Sequence, residues 1–267
     1  MPEKASKYNE TEVFLDGNCV LEHGDCLERM HGIEDESVDL ILCDLPYGLT
    51  PNHWDCTIDE KRLWGEYRRI IKEHGAIILF GAGRFTASLI VSAGKLYRYS
   101  LVWQKTSPVG YLNAKRMPMR GHEDIVVCYK HLPTYNPQIT HGHPRKVSTV
   151  EHKRNSVITT NYRKHDAHTY DSTDRYPTSV LTFATDKQKE ALHPTQKPVA
   201  LLEWLIRSYT NEGELVLDNC MGSGSTGVAA LNTGRKFIGM ESDPKYYDIA
   251  VERIVRTIEK NSMPAAE

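Results

Sequence analysis

The chain has 267 residues, 40% of them hydrophobic, enough to bury one large core with room for a sizeable insertion. Its formal net charge of -2 excludes an overall basic field, so any polyanion site must be a local patch. Cysteines at 19, 26, 43, 56, 128 and 220 form no C-x-x-C pair, which argues for reduced thiols and against a structural zinc or a disulfide framework.

Met1-Pro2-Glu3-Lys4 lacks the basic then apolar run of a signal peptide, and no apolar stretch approaches a membrane span, so a cytoplasmic protein is expected. Residues 1–17 are polar and read as peripheral. Cys19 to Gly24 reads as a short strand, and Asp25 to His31 as a short helix that Asp25 caps. Val38 to Cys43 is apolar and reads as a buried strand running into Asp44-Leu45-Pro46-Tyr47-Gly48. Pro51 to Asp59 is loop, and Glu60 to His74 carries a one-sided apolar stripe that Gly75 should terminate. Ala76 to Phe80 is a strand, Phe85 to Ala93 a helix, and Tyr97 to Trp103 a further strand, the rhythm of a doubly wound parallel sheet.

After a strand over Ile125–Tyr129 that rhythm breaks. From Lys130 to Lys189 there is little periodicity, and basic residues including Arg145, Lys146, Lys153, Arg154, Arg163 and Lys164 are interleaved with tyrosines. Polyanion contact is expected there. His141 and His143 have no thiol or carboxylate partners at ligand spacing, so no metal site is expected. Periodicity resumes with a helix from Pro198, apolar at Val199, Leu202, Leu205, Ile206 and Tyr209. A strand over Leu215–Leu217, a helix to Thr233, a strand over Lys236–Glu241 and a last helix capped by Asp243-Pro244 follow.

Two stretches carry chemistry. An acid, a proline and an aromatic at a strand's carboxyl end suit a planar amino group. The carboxylate and a turn carbonyl accept its two N–H bonds, proline fixes the turn, and the tyrosine ring offers a stacking face. Gly222-Ser223-Gly224-Ser225-Thr226-Gly227 fits G-x-G-x-x-G between a strand and a helix, with Glu241 about 20 residues on to accept ribose hydroxyls. That pattern implies a nucleoside-containing cofactor and leaves NAD and S-adenosylmethionine open.

With both motifs in this order, the chain resembles the β-class DNA amino-methyltransferases, the permuted group in which a (D/N/S)-P-P-Y motif precedes the target-recognition region and the Gly-rich motif comes last. The likeness runs from residue 19 to 258. It rests on Gly24 to Leu27, Asp39 to Gly48, Asn52 to Asp55, Arg120 to Ile125, His193 to Pro198, Asp218 to Thr226 and Gly239 to Tyr247. Leu45 replaces the motif's first proline, and Cys220 stands where the family usually places an aromatic or a Pro-Phe pair.

The resemblance implies a Rossmann-like α/β fold with a doubly wound, mostly parallel sheet in circularly permuted order. It implies a catalytic half over 18–129, a target-recognition insertion over 130–189 and a cofactor-binding half over 190–260. By the same resemblance Asp44 and the Leu45 or Pro46 carbonyl hold the target amino group, and Tyr47 stacks on the rotated base. Glu241 binds the ribose of S-adenosylmethionine and Asp25 and Cys26 its adenine. Asp218, Gly222, Ser223, Gly224 and Thr226 meet its methionine side, with help from Thr195, Gln196 and Lys197. Lys115, Arg116 and Arg120 join the insertion's basic residues as DNA contacts. Asp at the head of the motif resembles the N6-adenine enzymes more than the N4-cytosine ones, and no Pro-Cys dipeptide of the ring-carbon enzymes is present. Double-stranded DNA is the implied partner, with a homodimer and a cognate restriction endonuclease as further expectations. The rivals are N4-cytosine transfer, an RNA substrate, a catalytically silent DNA-binding relative and an NAD-dependent oxidoreductase.

Overall fold

The computed structural model describes residues 10–47, 58–149, 169–185 and 196–263. They form two compact units, one of Met1–Asn136 with Ser179–Glu267 and one of Pro137–Thr178. In the first, nine strands make one sheet: β1 (Thr11–Phe14), β2 (Cys19–His23), β3 (Val38–Cys43), β4 (Ile71–Gly81), β5 (Tyr97–Val109), β6 (Arg120–Cys128), β9 (Val180–Phe183), β10 (Leu215–Asp218) and β11 (Lys236–Glu241). Their order is β1-β2-β11-β10-β3-β4-β6-β5-β9. From β2 to β4 every neighbouring pair is parallel, whereas β6 runs antiparallel to both its neighbours and β1 antiparallel to β2.

Alternate residues of the central strands feed two cores, because successive side chains leave a strand on opposite faces. On one face Leu40, Leu42, Ile78 and Phe80 pack with α4 (Val199–Tyr209), α5 (Ser225–Asn232) and α6 (Pro244–Ser262). On the other, Ile41, Cys43, Ile77 and Leu79 pack with α1 (Cys26–Met30), α2 (Glu60–Ile70) and α3 (Arg84–Ala93). Strands buried on both faces need the continuous apolar runs that this sequence supplies. The expected doubly wound fold is therefore present, and among the described residues no helix is long and apolar enough to cross a membrane.

Four local expectations change. The stripe from Glu60 stops at Ile70, not His74, because Ile71 takes up extended backbone and pairs with Val38. The register then jumps to Leu40↔Ala76, so Lys72 to Gly75 form an irregular excursion within β4. The peripheral segment contains an edge strand, β1, whose exposed side chains gave no apolar pattern. β5 and β6 both extend well past their apolar parts, into a long hairpin. Within the expected insertion, Lys130–Asn136 and Ser179–Phe183 belong to the first unit, and β9 pairs with β5.

The second unit contains a small antiparallel pair, β7 (Lys146–Ser148) with β8 (Tyr170–Ser172), and a bridge between Thr140 and Arg175.

Candidate active site

β3 and β10 lie side by side at the middle of the sheet, with β4 continuing to one side and β11 to the other. Chain direction reverses its winding at this point, and open α/β sheets place their ligands outside such a junction, beyond the carboxyl ends of the strands. Asp44 immediately follows β3, and Asp218 is the last residue of β10. Residues 174 positions apart in the chain are thereby brought to one edge.

Asp44 is held through both oxygens. The Tyr47 hydroxyl donates to Oδ1 at 3.0 Å, and Lys197 Nζ donates to Oδ2. Lys197 also pairs with Glu123 Oε2 at 3.2 Å, and Lys105 Nζ donates to Glu123 Oε1 at 2.5 Å. The result is a chain of alternating charge, Asp44–Lys197–Glu123–Lys105, whose four side chains are between 7% and 21% exposed. The ammonium of Lys197 lies 5.0 Å from the centroid of the Phe80 ring, and that of Lys105 4.9 Å from Trp103. Burial, followed by a weaker contribution from Glu123, raises the Asp44 carboxyl above its ordinary range against the pull of Lys197. Glu123 is the reverse case: burial raises it, but two cations prevail and hold it below its usual value.

Leu45 is 4% exposed and packs into the core beneath the turn, which is how the chain dispenses with a first proline there. The Tyr47 ring stacks on Phe85, centroids 4.4 Å apart, so one of its faces is backed. Burial, with Asp44 and Glu123 next, pushes its hydroxyl well above the ordinary phenol range, and Arg120 acts in the opposite sense.

The glycine loop follows the geometry its spacing demands. Gly222 and Gly224 have φ of 52° and 77°, and a Cβ on Gly224 would meet the Ala250 Cβ at 3.0 Å. A Cβ on Gly227 would lie 2.6 Å from Phe237 and 2.7 Å from Ile254, so this glycine serves helix packing. Glu241 braces the loop: its Oε2 accepts from Gly222 N at 2.9 Å, and its Oε1 from Asp243 N at 2.8 Å. Asp218, 3% exposed, is pushed up to about 6 by burial, with Thr226 and the Cys220 amide holding its charged form.

Some expected residues are committed elsewhere. Asp25 Oδ1 caps α1 by accepting from Leu27 N and Glu28 N, so only part of its carboxylate is available. Ser223 is gripped by Arg253 of α6, which also reaches Ser225. Lys197 reaches the carboxylate of Asp44 rather than the glycine loop. Gln196 Oε1 is buried and has no hydrogen-bond partner among the described residues. Cys26, half-buried, is lowered below the usual thiol range by hydrogen bonds from Cys220 and Asn219, while Cys43 is pushed up to about 12 by burial. Buried Tyr67 fixes Asn219 by donating to its Oδ1 at 2.6 Å.

Among the DNA-contact expectations, Lys115, Arg116 and Arg120 are exposed on the β5–β6 hairpin. Lys146 is exposed in the second unit, and Arg145 there is held by both oxygens of Asp171, at 2.7 and 2.6 Å. Lys153, Arg154, Arg163, Lys164 and Thr195 lie outside the described residues, as do Asn52 to Asp55, His193 and Pro194. Glu123 and Lys105 were not foreseen as site residues. Glu123 sat in a stretch that carried the resemblance, yet nothing local marks either side chain as turning toward Asp44.

Comparison with known proteins bears on the family and the fold. The chain is 30% identical over 246 residues to the DNA adenine methyltransferase YhdJ of Escherichia coli (strain K12), covering 87% of this chain and 81% of that protein. It is 29% identical to the type II methyltransferase M.HinfI of Haemophilus influenzae, covering 89% and 68%. The crystal structure of the M1.HpyAVI–SAM complex superposes with a TM-score of 0.58 at 25% identity, over 87% of this chain and 98% of that one. The cytosine-N4-specific PvuII DNA methyltransferase shares the fold, with a TM-score of 0.64 at 16% identity, over 91% and 90%. A family model described as DNA methylase matches residues 38–252, so the chain belongs to that family.

Proposed function

We propose that this methylase transfers a methyl group from S-adenosylmethionine to the N6 amino group of adenine in double-stranded DNA. The observation that carries the reading is the placement of Asp44 and the Gly222–Gly227 loop at the ends of neighbouring strands. It is supported by the similarity to a relative named as a DNA adenine methyltransferase and to a structure named as a SAM complex.

The residues fit the cofactor. Gly222 and Gly224 allow close backbone approach, Asp218 is a buried acid at the same edge, and Gln196 Oε1 is a buried acceptor with no donor among the described residues. Glu241 would keep one lone pair on each oxygen for ribose hydroxyls. When bound, the cofactor supplies an electrophilic sulfonium methyl.

An exocyclic amine is a poor nucleophile because its lone pair is shared with the ring. Asp44 and a carbonyl of the turn, accepting from the amine's hydrogens, favour the pyramidal nitrogen that attack requires. Tyr47 stacks on the rotated base while Phe85 backs its ring. On taking up that methyl, with the C–S electron pair left to the departing sulfur, the amino nitrogen would have to shed a proton, for which Asp44 would be the acceptor. Lys197 is assigned to Asp44 as a positioning residue. Residues 130–189 are assigned to target recognition, with Lys and Arg on phosphates. The similarity to M.HinfI, named as a type II methyltransferase, supports a restriction–modification role, and a cognate endonuclease and a cytoplasmic setting belong to the same proposal.

Radiolabelled transfer to unmethylated genomic DNA, followed by nucleoside mass spectrometry, tests the reading. N6-methyladenine is expected, and Asp44→Ala should abolish transfer while leaving cofactor affinity nearly intact. N4-methylcytosine as the product would overturn the base assignment, and an active Asp44→Ala enzyme would overturn the mechanism.

A further inference from the structure

The hairpin of β5 and β6 projects from the edge of the sheet that carries Asp44. β6 is antiparallel to β4 and pairs its Asp124 with Gly81 at the carboxyl end of β4, so Arg120, at the start of β6, lies further out. β5 is antiparallel to β6, so its own carboxyl end, Val109, opposite Arg120, lies there too. Glu123, three residues into β6, is the residue that joins Lys197 and so Asp44. Arg120, where β6 leaves the turn of the hairpin, is close enough to Tyr47 for its charge to act on the phenol.

The tip has an unusual composition. Val109, Tyr111, Leu112 and Met117 are 36%, 80%, 97% and 60% exposed, the densest run of exposed large apolar side chains among the described residues. Scattered exposed apolar residues are ordinary, but a cluster on a projection is a surface awaiting a partner. The tip is also ordered. Gly110, at φ 95°, starts a tight turn in which Asn113 N donates to Gly110 O at 3.0 Å and Ala114 N to Tyr111 O at 2.9 Å. Arg116 N donates to Asn113 O at 2.8 Å. Tyr111 and Leu112 are thus presented on a pre-formed turn, which reduces the ordering cost of docking. Lys115, Arg116 and Arg120 surround them without an acidic residue between positions 106 and 122. Apolar side chains flanked only by cations fit a partner with an anionic backbone and an apolar interior, which is a stacked nucleic acid duplex.

We propose that Leu112, next to Tyr111 on the turn, is a wedge that enters the duplex beside the target adenine and occupies the space the rotated base leaves, with Lys115 and Arg116 on the flanking phosphates. The inference rests on the reading of the protein as an enzyme acting on duplex DNA. A base must leave its stack to reach Asp44, and a side chain filling the gap both favours that step and delays return.

The test uses the full chain with Leu112→Ala and Leu112→Phe. Sequencing DNA modified by the wild type gives the site, from which two duplexes are made. One is fully paired, and the other carries a mismatch opposite the target adenine, where the base is already partly free. Leu112→Ala is expected to lose about tenfold or more in kcat/KM on the paired duplex and less than about threefold on the mismatched one. Leu112→Phe should stay near wild type on both, and neither variant should change cofactor affinity or sedimentation. Equal losses on both duplexes, or no loss on the paired one, would overturn the wedge. A loss that accompanies dissociation of a dimer would overturn it in favour of contact between two copies of this chain. A wild-type chain that transfers nothing to DNA would overturn the underlying reading and the wedge with it.

Discussion

Replacing Lys197 by methionine isolates the charge chain at the Asp44 turn. Among the described residues Lys197 is the one cation paired with both Asp44 and Glu123, and it is 8% exposed on its side chain. Removing one member of a buried ion pair costs about 3–5 kcal/mol, because the remaining charge is left without compensation. At roughly 2–4 °C per kcal/mol for a chain of this size, the melting temperature at pH 8 should fall by about 10 °C. The direction with pH follows from the two carboxyls. Asp44 already lies above its ordinary range and loses the pull that opposed burial, while Glu123 loses one of the two cations that hold it down. An acid raised in the folded state penalises folding above its folded pKa, and the penalty fades as pH falls below it. The deficit relative to wild type should therefore shrink between pH 8 and pH 5. Transfer at pH 7.5 should drop at least about tenfold and its optimum move to higher pH, because a protonated Asp44 is a weaker acceptor for the amino group and cannot take up the proton the nitrogen sheds. Thermal melts across pH and single-turnover transfer rates measure both effects. Wild-type melting at pH 8 together with an unmoved pH–rate profile would refute the assignment of Lys197 to Asp44.

Asp218→Asn makes a contrasting case. Its carboxyl is pushed up to about 6 from 3.8, a penalty on the cofactor-free fold of about 3 kcal/mol that is complete above pH 6 and absent below 3.8. The variant should melt higher than wild type at pH 8, lose that advantage by pH 4, and bind S-adenosylmethionine more weakly by calorimetry. Gly227→Ala puts a Cβ within 2.7 Å of Phe237 and Ile254 and should cost about 1–3 kcal/mol in denaturant melts. An unchanged midpoint would show that α5 is free to shift.

What was legible in the sequence was whatever short-range pattern dictates. Val38–Cys43, Leu215–Leu217 and Lys236–Glu241 declare themselves because strands covered on both faces need a mostly apolar run between their polar positions. Asp25 and Asp243 announce helix starts because capping needs a short acceptor at one position. The end of α2 was hidden because Ile71 satisfies the helical stripe as well as a strand, and only its pairing with Val38 decides. β1 was hidden because an exposed edge strand has no apolar face to show. At the site, Asp44 and the glycine loop sit in compact motifs, whereas Lys105, Glu123 and Lys197 come from three separated segments. Their meeting depends on hairpin register and on the path into α4, which no local window contains.

The junction of β3 with β10 also governs how the protein is made. Asp39, in β3, accepts from the Leu215 amide at 2.9 Å, across a separation of 176 residues, and Leu40 sits opposite Val216. Until β10 leaves the ribosome, the central strand of the sheet has one edge without its native neighbour, and synthesis at about 5–20 residues per second leaves it so for roughly 10 s or longer. Contacts this distant in sequence are slow to close. The nascent chain therefore carries an apolar strand edge through most of its translation, and the step that covers it is the same one that first brings Asp44 beside Asp218 and the glycine loop.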